Sequence, residues 1–475
     1  MPVTHPEARK AWTQERRLLW GWWLLLPVQA VLVAWAGLPL KTGGWQLQLI
    51  NLATGGLCAF GLSRDARPFS LNQVYWVFTF VFMALMPALF YSRGFMPHGP
   101  LPEHLMIKAS TLVLGSSVLY TATQMALSVR FRKEKTPDEG LLPGAAGQTY
   151  FRQRAPWLMA ICALAVVLIL GPANLWLQFY TEQAWEAHIT DNTLRLLARY
   201  SLRGTMLYLC MAAIFWYRQG KLSGGLLFAF LALAVLANFP LSMSRYLAGT
   251  FYLAILLWWL PPGMVKPPRF AFTLMALILL AAPLLNAARM QQFVLKPGEQ
   301  RDFSFLLRTS YSGDYDAYAM LCRSIQYTDS LGTTGGRQLA GALLFFVPRS
   351  TWPDKPVGSG SKVYQELGLG TDDWSNVSCP LPGEGYVNFG IAGTLIFIVF
   401  LGTFIFFYDR HFWQWRRRRN APVTYQILFY PVMLGLLLLW LRGDMMSAFA
   451  YSAGLFVSGA FIHQIMKARL RNSIT

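Results

Sequence analysis

The residues best suited to chemistry in this chain are one carboxylate and a set of arginines. Glu384 stands in CPLPGEGYVNFG, where Pro380, Pro382, Gly383 and Gly385 hold the chain out of a helix and Tyr386, Asn388 and Gly390 follow as an apolar run begins. A carboxylate at such a rim loses part of its hydration, which raises its pKa and suits it to taking a proton from a hydroxyl. The same position can instead serve as a charge at a helix N-terminus. Arg195, Arg199 and Arg203 recur at intervals of four, which lines three guanidinium groups along one helical face. Such a row suits phosphate, because each planar fork of donors stays charged; it equally suits an interfacial helix on anionic headgroups. Arg245, in NFPLSMSRYLAG, sits where two apolar runs meet, and Arg442, in LRGDMM, sits in a tight turn between two more. Ionisable groups at membrane depth are expensive and face a bundle interior or a wet cavity. Snorkelling is the plain alternative for both arginines, and Arg442 can also simply pair with Asp444.

A second cluster of cations lies in FVPRSTWPDKPVG, residues 346–358. Its prolines fix an extended backbone, so Arg349 and Lys355 can be held at headgroup level while Trp352 presents a flat apolar face; a rigid packing loop is the alternative. Asp314 and Asp316 form DYD, which invites a metal, but residues two apart on a helix diverge, so no metal site is expected there. The chain has no HExxH, P-loop or GxSxG motif, and residues 289–385 contain no histidine. That removes Ser-His and Cys-His centres and His-rich zinc sites from this segment. Cys322 and Cys379 also lie in it and are near enough in sequence environment to pair, though spacing cannot supply the required geometry.

The elements that must position these groups are transmembrane. Of 475 residues, 55% are hydrophobic and 13% charged, against roughly a quarter charged in soluble chains. The net charge of +19 raises nucleic acid as a partner, but Lys and Arg cluster between apolar runs, which points to membrane topology instead. Runs long enough to cross about 30 Å of hydrocarbon begin near Leu18, Gln46, Leu71, Leu105, Pro156, Leu202, Gly224, Tyr246, Phe270, Tyr386, Thr424 and Asp444, twelve in all. The first is too long for the core of a cleaved signal.

Every second connection is basic, from Arg9, Lys10, Arg16 and Arg17 through RFRKEK to RRRR at 416–419 and the tail, so both termini are expected on the cytoplasmic side. Aromatic groups at run ends, such as WGWW at 20–23, fit interfacial belts. The chain thus divides into a bundle of about nine spans (1–288), a large outward loop (289–385), and three further spans with a tail (386–475). Within the loop, Phe305, Tyr311, Tyr315, Tyr318, Cys322 and Ile325 approximate one helical face, which predicts a helix lying on the membrane surface. RQLAGALLFFV (337–347) is too short to span and predicts a re-entrant or interfacial helix stopped by Pro348.

The order of Ser244-Arg245, then FVPRSTWPDKP in a long outward loop, then PGEGYVNFGIAG at 382–393, then LRGD at 441–444, resembles bacterial oligosaccharide repeat-unit polymerases, the Wzy-like proteins of O-antigen and exopolysaccharide assembly. The resemblance covers mainly residues 240–450. It implies a GT-C-like, lipid-dependent glycosyltransferase of the bacterial inner membrane, acting at the periplasmic face without a cofactor. The implied donor is a growing glycan on undecaprenyl pyrophosphate, the acceptor a single lipid-linked repeat unit, and a chain-length regulator is a usual partner in such pathways. On this basis Arg245, Arg349 and Arg442 are expected to stabilise the pyrophosphate leaving group, with Arg195, Arg199 and Arg203 as a second holding site. Glu384 is expected to position or deprotonate the acceptor hydroxyl. Lys355, Trp352, Tyr386, Asn388 and Asp444 complete the expected substrate contacts.

Two rivals share the layout. A glycan ligase moves a finished polymer from the same carrier and typically uses a histidine in its large outer loop, where this chain has none. A lipid-linked oligosaccharide flippase would suit twelve spans, but would be expected to carry charges through a central cavity and to show repeat halves.

Overall fold

A computed structural model describes residues 20–36, 44–131, 145–171, 192–260, 265, 267–281, 315–370, 377–416 and 425–467. All regular structure among them is helical. After a 3-10 turn at Gly21–Leu24 come α1 (Leu25–Trp35), α2 (Gly44–Ser63), α3 (Leu71–Ser92), α4 (Glu103–Arg130), α5 (Ala145–Leu170), α6 (Asn192–Arg218), α7 (Gly224–Ala237), α8 (Arg245–Trp259) and α9 (Pro267–Ala276). Beyond residue 314 follow α10 (Ala317–Leu331), α11 (Arg337–Leu343), α12 (Ser359–Glu366), α13 (Leu381–Arg416), α14 (Tyr425–Arg442) and α15 (Met445–Lys467). Every span start expected from hydropathy falls inside one of these helices or within three residues of one.

Among the described residues five stretches are long and apolar enough to cross a membrane: Leu71–Ser92, Glu103–Arg130, Leu381–Arg416, Tyr425–Arg442 and Met445–Gln464. They mark a membrane-embedded protein. The first is apolar all round and almost wholly covered by its neighbours, as a central helix must be. Its start is set by Ser70, whose hydroxyl accepts the Gln73 amide, and Pro87, which lacks an amide, follows a slip to π-helical bonding over Val81–Leu85. The main packed pairs are α6 with α15, α8 with α14, and α4 with α13.

Helix α13 is broken. Phe389 and Gly390 leave helical geometry, Gly390 with φ +66°, a value glycine adopts without strain. Residues 381–388 form a short outer helix, and 391–416 form the crossing segment, about 39 Å long. The outer piece folds back on the crossing piece so closely that a Cβ on Gly393 would lie 2.1 Å from the Gly385 carbonyl oxygen. Thr394 seals the joint by donating to the Pro382 carbonyl at 2.8 Å. The glycines of PGEGYVNFGIAG are therefore a hinge and a backbone contact.

Two expectations for residues 289–385 change, and the open question of a Cys322–Cys379 pair is answered. Tyr315, Tyr318, Cys322 and Ile325 do share a face, but α10 is not a surface helix: nearly every residue from Tyr315 to Ile325 is buried against α4, α12 and α13. The small and apolar residues on its other faces (Ala317, Ala319, Met320, Leu321) let it pack on all sides, and Tyr318 donates to the Met106 carbonyl at 2.7 Å. Helix α11 ends at Leu343, ahead of Pro348; the Lys355 ammonium takes the carbonyls of Phe345 and Val347 just beyond it. Leu343, Leu344 and Phe346 are exposed, as an interfacial element requires. Cys322 and Cys379 are both free and buried, and the Cys379 sulfur lies 3.7 Å from the Ser324 hydroxyl. Phe305, Tyr311, Asp314 and the basic clusters of the N-terminus and tail lie outside the described residues.

Candidate functional site

Four segments meet at one end of the bundle. The turn between α14 and α15 supplies Arg442 and Asp444, the outer piece of α13 supplies Glu384, the start of α12 supplies Ser359 and Gly360, and the start of α10 supplies Asp316. Asp444 caps α15: its carboxylate accepts the amides of Met446 (3.0 Å) and Ser447 (3.4 Å) and, from another segment, that of Gly360 (3.0 Å). Glu384 accepts the remaining early amide of the same helix, Met445 at 2.8 Å, and the Ser359 hydroxyl at 2.6 Å. Both carboxyls thus use the positive end of α15, although Glu384 belongs to a different helix.

The two acids are buried, Glu384 to 1% exposure. Burial, and then the neighbouring Asp444 carboxylate, raise the Glu384 pKa against the pull of Ser359 and the Met445 amide. Burial likewise raises Asp444, opposed by the backbone amides it accepts. Both shifts favour the protonated form, as they do for two close buried acids. Glycines make room for the pair: a Cβ on Gly358 would lie 2.5 Å from the Asp444 carboxylate, and one on Gly360 would lie 2.6 Å from the Val377 carbonyl oxygen.

Arg442 does not pair with Asp444. Its guanidinium reaches Asp316 at 3.0 Å and lies over the Tyr246 ring, 5.0 Å from the centroid. Asp316 is buried and also meets the His98 Nε2 at 3.2 Å and the Ser378 amide at 3.3 Å. Burial alone would raise its pKa, but Arg442, His98 and Ser378 together outweigh it and hold the carboxyl below its ordinary range. His98 has φ +61°, strained for a residue with a side chain, and its carbonyl accepts from Arg323 at 2.9 Å. The Arg442 side chain remains 17% exposed, so an oriented cation faces solvent while its counter-charge is buried.

The other expected residues fall elsewhere. Arg199 and Arg203 are buried and both donate to the Ser242 carbonyl, at 3.0 and 2.9 Å, so they brace the turn that leads into α8. Arg195 stands on the same helix and Arg245 opens α8; their side chains lie outside the described residues. Arg349 is exposed and donates to the Lys355 carbonyl at 2.8 Å. Lys355 is buried on its two carbonyls, which fix the proline-rich loop, and Trp352 is half-buried there. Asn388 is buried and works on backbone: it accepts the Leu339 amide at 2.9 Å and donates to the Glu384 carbonyl at 2.8 Å. Tyr386 reaches Asp329 at 3.4 Å, beside the exposed Lys108–Asp329 pair.

Sequence reasoning missed His98, Ser359 and Arg323, and gave Asp316 no role beyond a rejected metal site. The one signal for His98 is MPHGP, a proline-bracketed histidine in an outward connection. Among the described residues no group of three or more His, Cys, Asp or Glu side chains is placed to hold a metal ion. No protein-family model, no curated protein and no solved structure matches the chain.

Proposed function

We propose that this protein polymerises undecaprenyl-pyrophosphate-linked oligosaccharide repeat units at the periplasmic face of the bacterial inner membrane. It does so as a twelve-span, GT-C-like glycosyltransferase with both termini in the cytoplasm. The observation that carries this reading is convergence. The segments around 244–246, 355–361, 380–388 and 442–447, separated by up to 200 residues of chain, meet through the Arg442–Tyr246, Gly360–Asp444, Ser359–Glu384 and Met445–Glu384 contacts. Three of them carry residue patterns that resemble the polymerases, and the 355–361 segment follows directly on the FVPRSTWPDKP pattern.

In this reaction an acceptor hydroxyl attacks the anomeric carbon of the donor, and the bond to undecaprenyl pyrophosphate breaks with its electron pair going to the phosphate oxygen. Arg442 suits the leaving group: it is fixed by Asp316, partly open, and cationic. Arg245, next to Tyr246, and the exposed Arg349 are the further cations for the two phosphates. Glu384 acts from beneath the surface; through Ser359 and the first turn of α15 it sets the Arg442–Asp444 turn, and it takes the acceptor proton only when the 358–361 segment moves off it.

A second reading is favoured by one observation. His98, from outside the large loop, joins Asp316 and hence Arg442, which restores the histidine that a glycan ligase would use. The deciding test is the gel profile of lipid-linked and surface glycan in a deletion strain carrying wild type or Arg442→Ala. A polymerase gives a ladder with wild type that collapses to one repeat unit with the variant. A full ladder retained on the lipid carrier in the deletion strain means ligase, and repeat units trapped on the cytoplasmic side mean flippase; either overturns the proposal.

A further inference from the structure

At the end of the bundle opposite Glu384, a cavity of about 510 Å³ lies between the loop joining α2 to α3, the last turns of α4 and the last turns of α13. Its floor is an ionic network. Arg67 forks onto Asp65, with both contacts at 2.7 Å, and reaches Asp409 at 3.0 Å. The two acids are buried and take further donors from Ser70, Asn72 and the backbone amides of Leu71 and Asn72. The floor thus sets two carboxylates against one guanidinium, with neutral donors satisfying the remaining oxygens.

The rim carries the opposite sign. Arg64 is exposed, stands over the Phe60 ring at 5.3 Å and makes no salt bridge among the described residues. Arg410 is half-buried and holds the Phe131 carbonyl at the end of α4, and Gln124 bridges deeper in the cleft to the Gly402 carbonyl at 2.7 Å. Beside the mouth the bundle presents bare hydrocarbon: Met125, Val129 and Phe407 are 45%, 75% and 41% exposed.

A mostly apolar cavity with arginines at its rim, beside exposed apolar helix faces where helices end, matches a molecule with an anionic head and acyl chains. We propose that this cavity binds an anionic glycerophospholipid of the leaflet on that side, its phosphodiester at Arg64 and Arg410 and its chains along the outer faces of α4 and α13. The apolar mouth favours a lipid over a soluble phosphate, which shares the head chemistry but would gain nothing from Met125, Val129 and Phe407. Basic pockets between spans on the positive side of a membrane protein recognise such headgroups. The orientation proposed above makes this the cytoplasmic leaflet; the site is independent of the glycosyl-transfer reading.

The test uses the purified full chain in nanodiscs of phosphatidylcholine doped with phosphatidylglycerol, with binding read by native mass spectrometry and by thermal stabilisation. Phosphatidylglycerol should be retained and should stabilise, while phosphatidylcholine alone and inorganic phosphate should not. Each arginine is expected to contribute about fivefold in affinity, so Arg64→Gln weakens binding about fivefold and Arg64→Gln with Arg410→Gln about 25-fold. Arg64 is exposed, so Arg64→Glu leaves the fold intact and serves where the double variant does not express. Equal retention of both lipids, affinity unchanged by Arg64→Glu, or stabilisation by inorganic phosphate alone overturns the proposal.

Discussion

Replacing Asp316 by Asn keeps the side chain's shape and removes its charge. Of the three groups that converge on the carboxylate, the Ser378 amide and His98 can still bond to an amide oxygen. The Arg442 guanidinium, at 3.0 Å, depends most on the charge. A buried ion pair that loses one partner costs about 3–5 kcal/mol, and a hydrogen bond to a charged group contributes about 1.5–3 kcal/mol. Asp316 is 2% exposed but Arg442 is 17% exposed, so water already reaches one side of the pair. The lower range therefore applies, and Asp316→Asn should destabilise by about 2–3 kcal/mol at pH 7.

The pH dependence has a definite sign. The folded-state pKa of Asp316 is lowered, so its contribution is present above its unfolded value of about 3.9 and is lost as pH falls through the folded value. The gap between wild type and variant should be present at pH 7 and shrink toward pH 3. Unfolding in mixed micelles, followed by tryptophan fluorescence, measures it. A cycle with Arg442→Gln should return a coupling of about 2 kcal/mol. A variant within about 0.5 kcal/mol of wild type at pH 7, which is the ordinary scatter of a surface substitution, would refute the claim that Asp316 orients Arg442.

The acid pair gives the opposite slope. Because burial and Asp444 raise the Glu384 pKa, its stability contribution is present below the unfolded value of about 4.3 and lost as pH rises above it, at no more than about 1.4 kcal/mol per pH unit. Wild type should lose stability as pH rises from about 5 while Glu384→Gln stays nearly flat; parallel thermal-unfolding profiles would count against the raised carboxyl. Gly360→Ala places a methyl 2.6 Å from the Val377 carbonyl oxygen and drives the Gly360 amide off Asp444. It should cost about 1–3 kcal/mol, as overpacking does, and an unchanged unfolding midpoint would show that this segment yields freely.

Hydropathy located the helices because an apolar run of fixed length answers to one physical demand, hydrocarbon thickness. It misjudged α10 because periodicity reports which residues avoid water, and cannot distinguish a helix facing lipid on one side from one packed on all sides. PGEGYVNFGIAG was legible as a break, yet the fold-back that brings Gly385 against Gly393 is a contact between residues whose positions the hinge alone decides. Glu384, Asp444 and Arg442 were legible as charges beside membrane-entering runs. Their partners were not, since Asp316 reaches Arg442 across 126 residues of chain and His98 reaches Asp316 across 218. Lys355 looked like a ligand-binding cation because sequence shows its charge and hides the two carbonyls that neutralise its reach.

The way Asp444 and Glu384 share the first turn of α15 also fixes when the site comes into being. His98, Tyr246, Asp316, Ser359 and Glu384 all precede residues 442–447, and without those residues Asp316 has no arginine and Glu384 has no amide to accept. A nascent chain that has inserted its helices as far as α13 therefore holds most of the charged groups and none of their decisive pairings. The charged centre is therefore assembled only once the residues from Arg442 onward are in place, and a product cut short before Arg442 keeps the scaffold without the Arg442–Asp316 and Met445–Glu384 contacts.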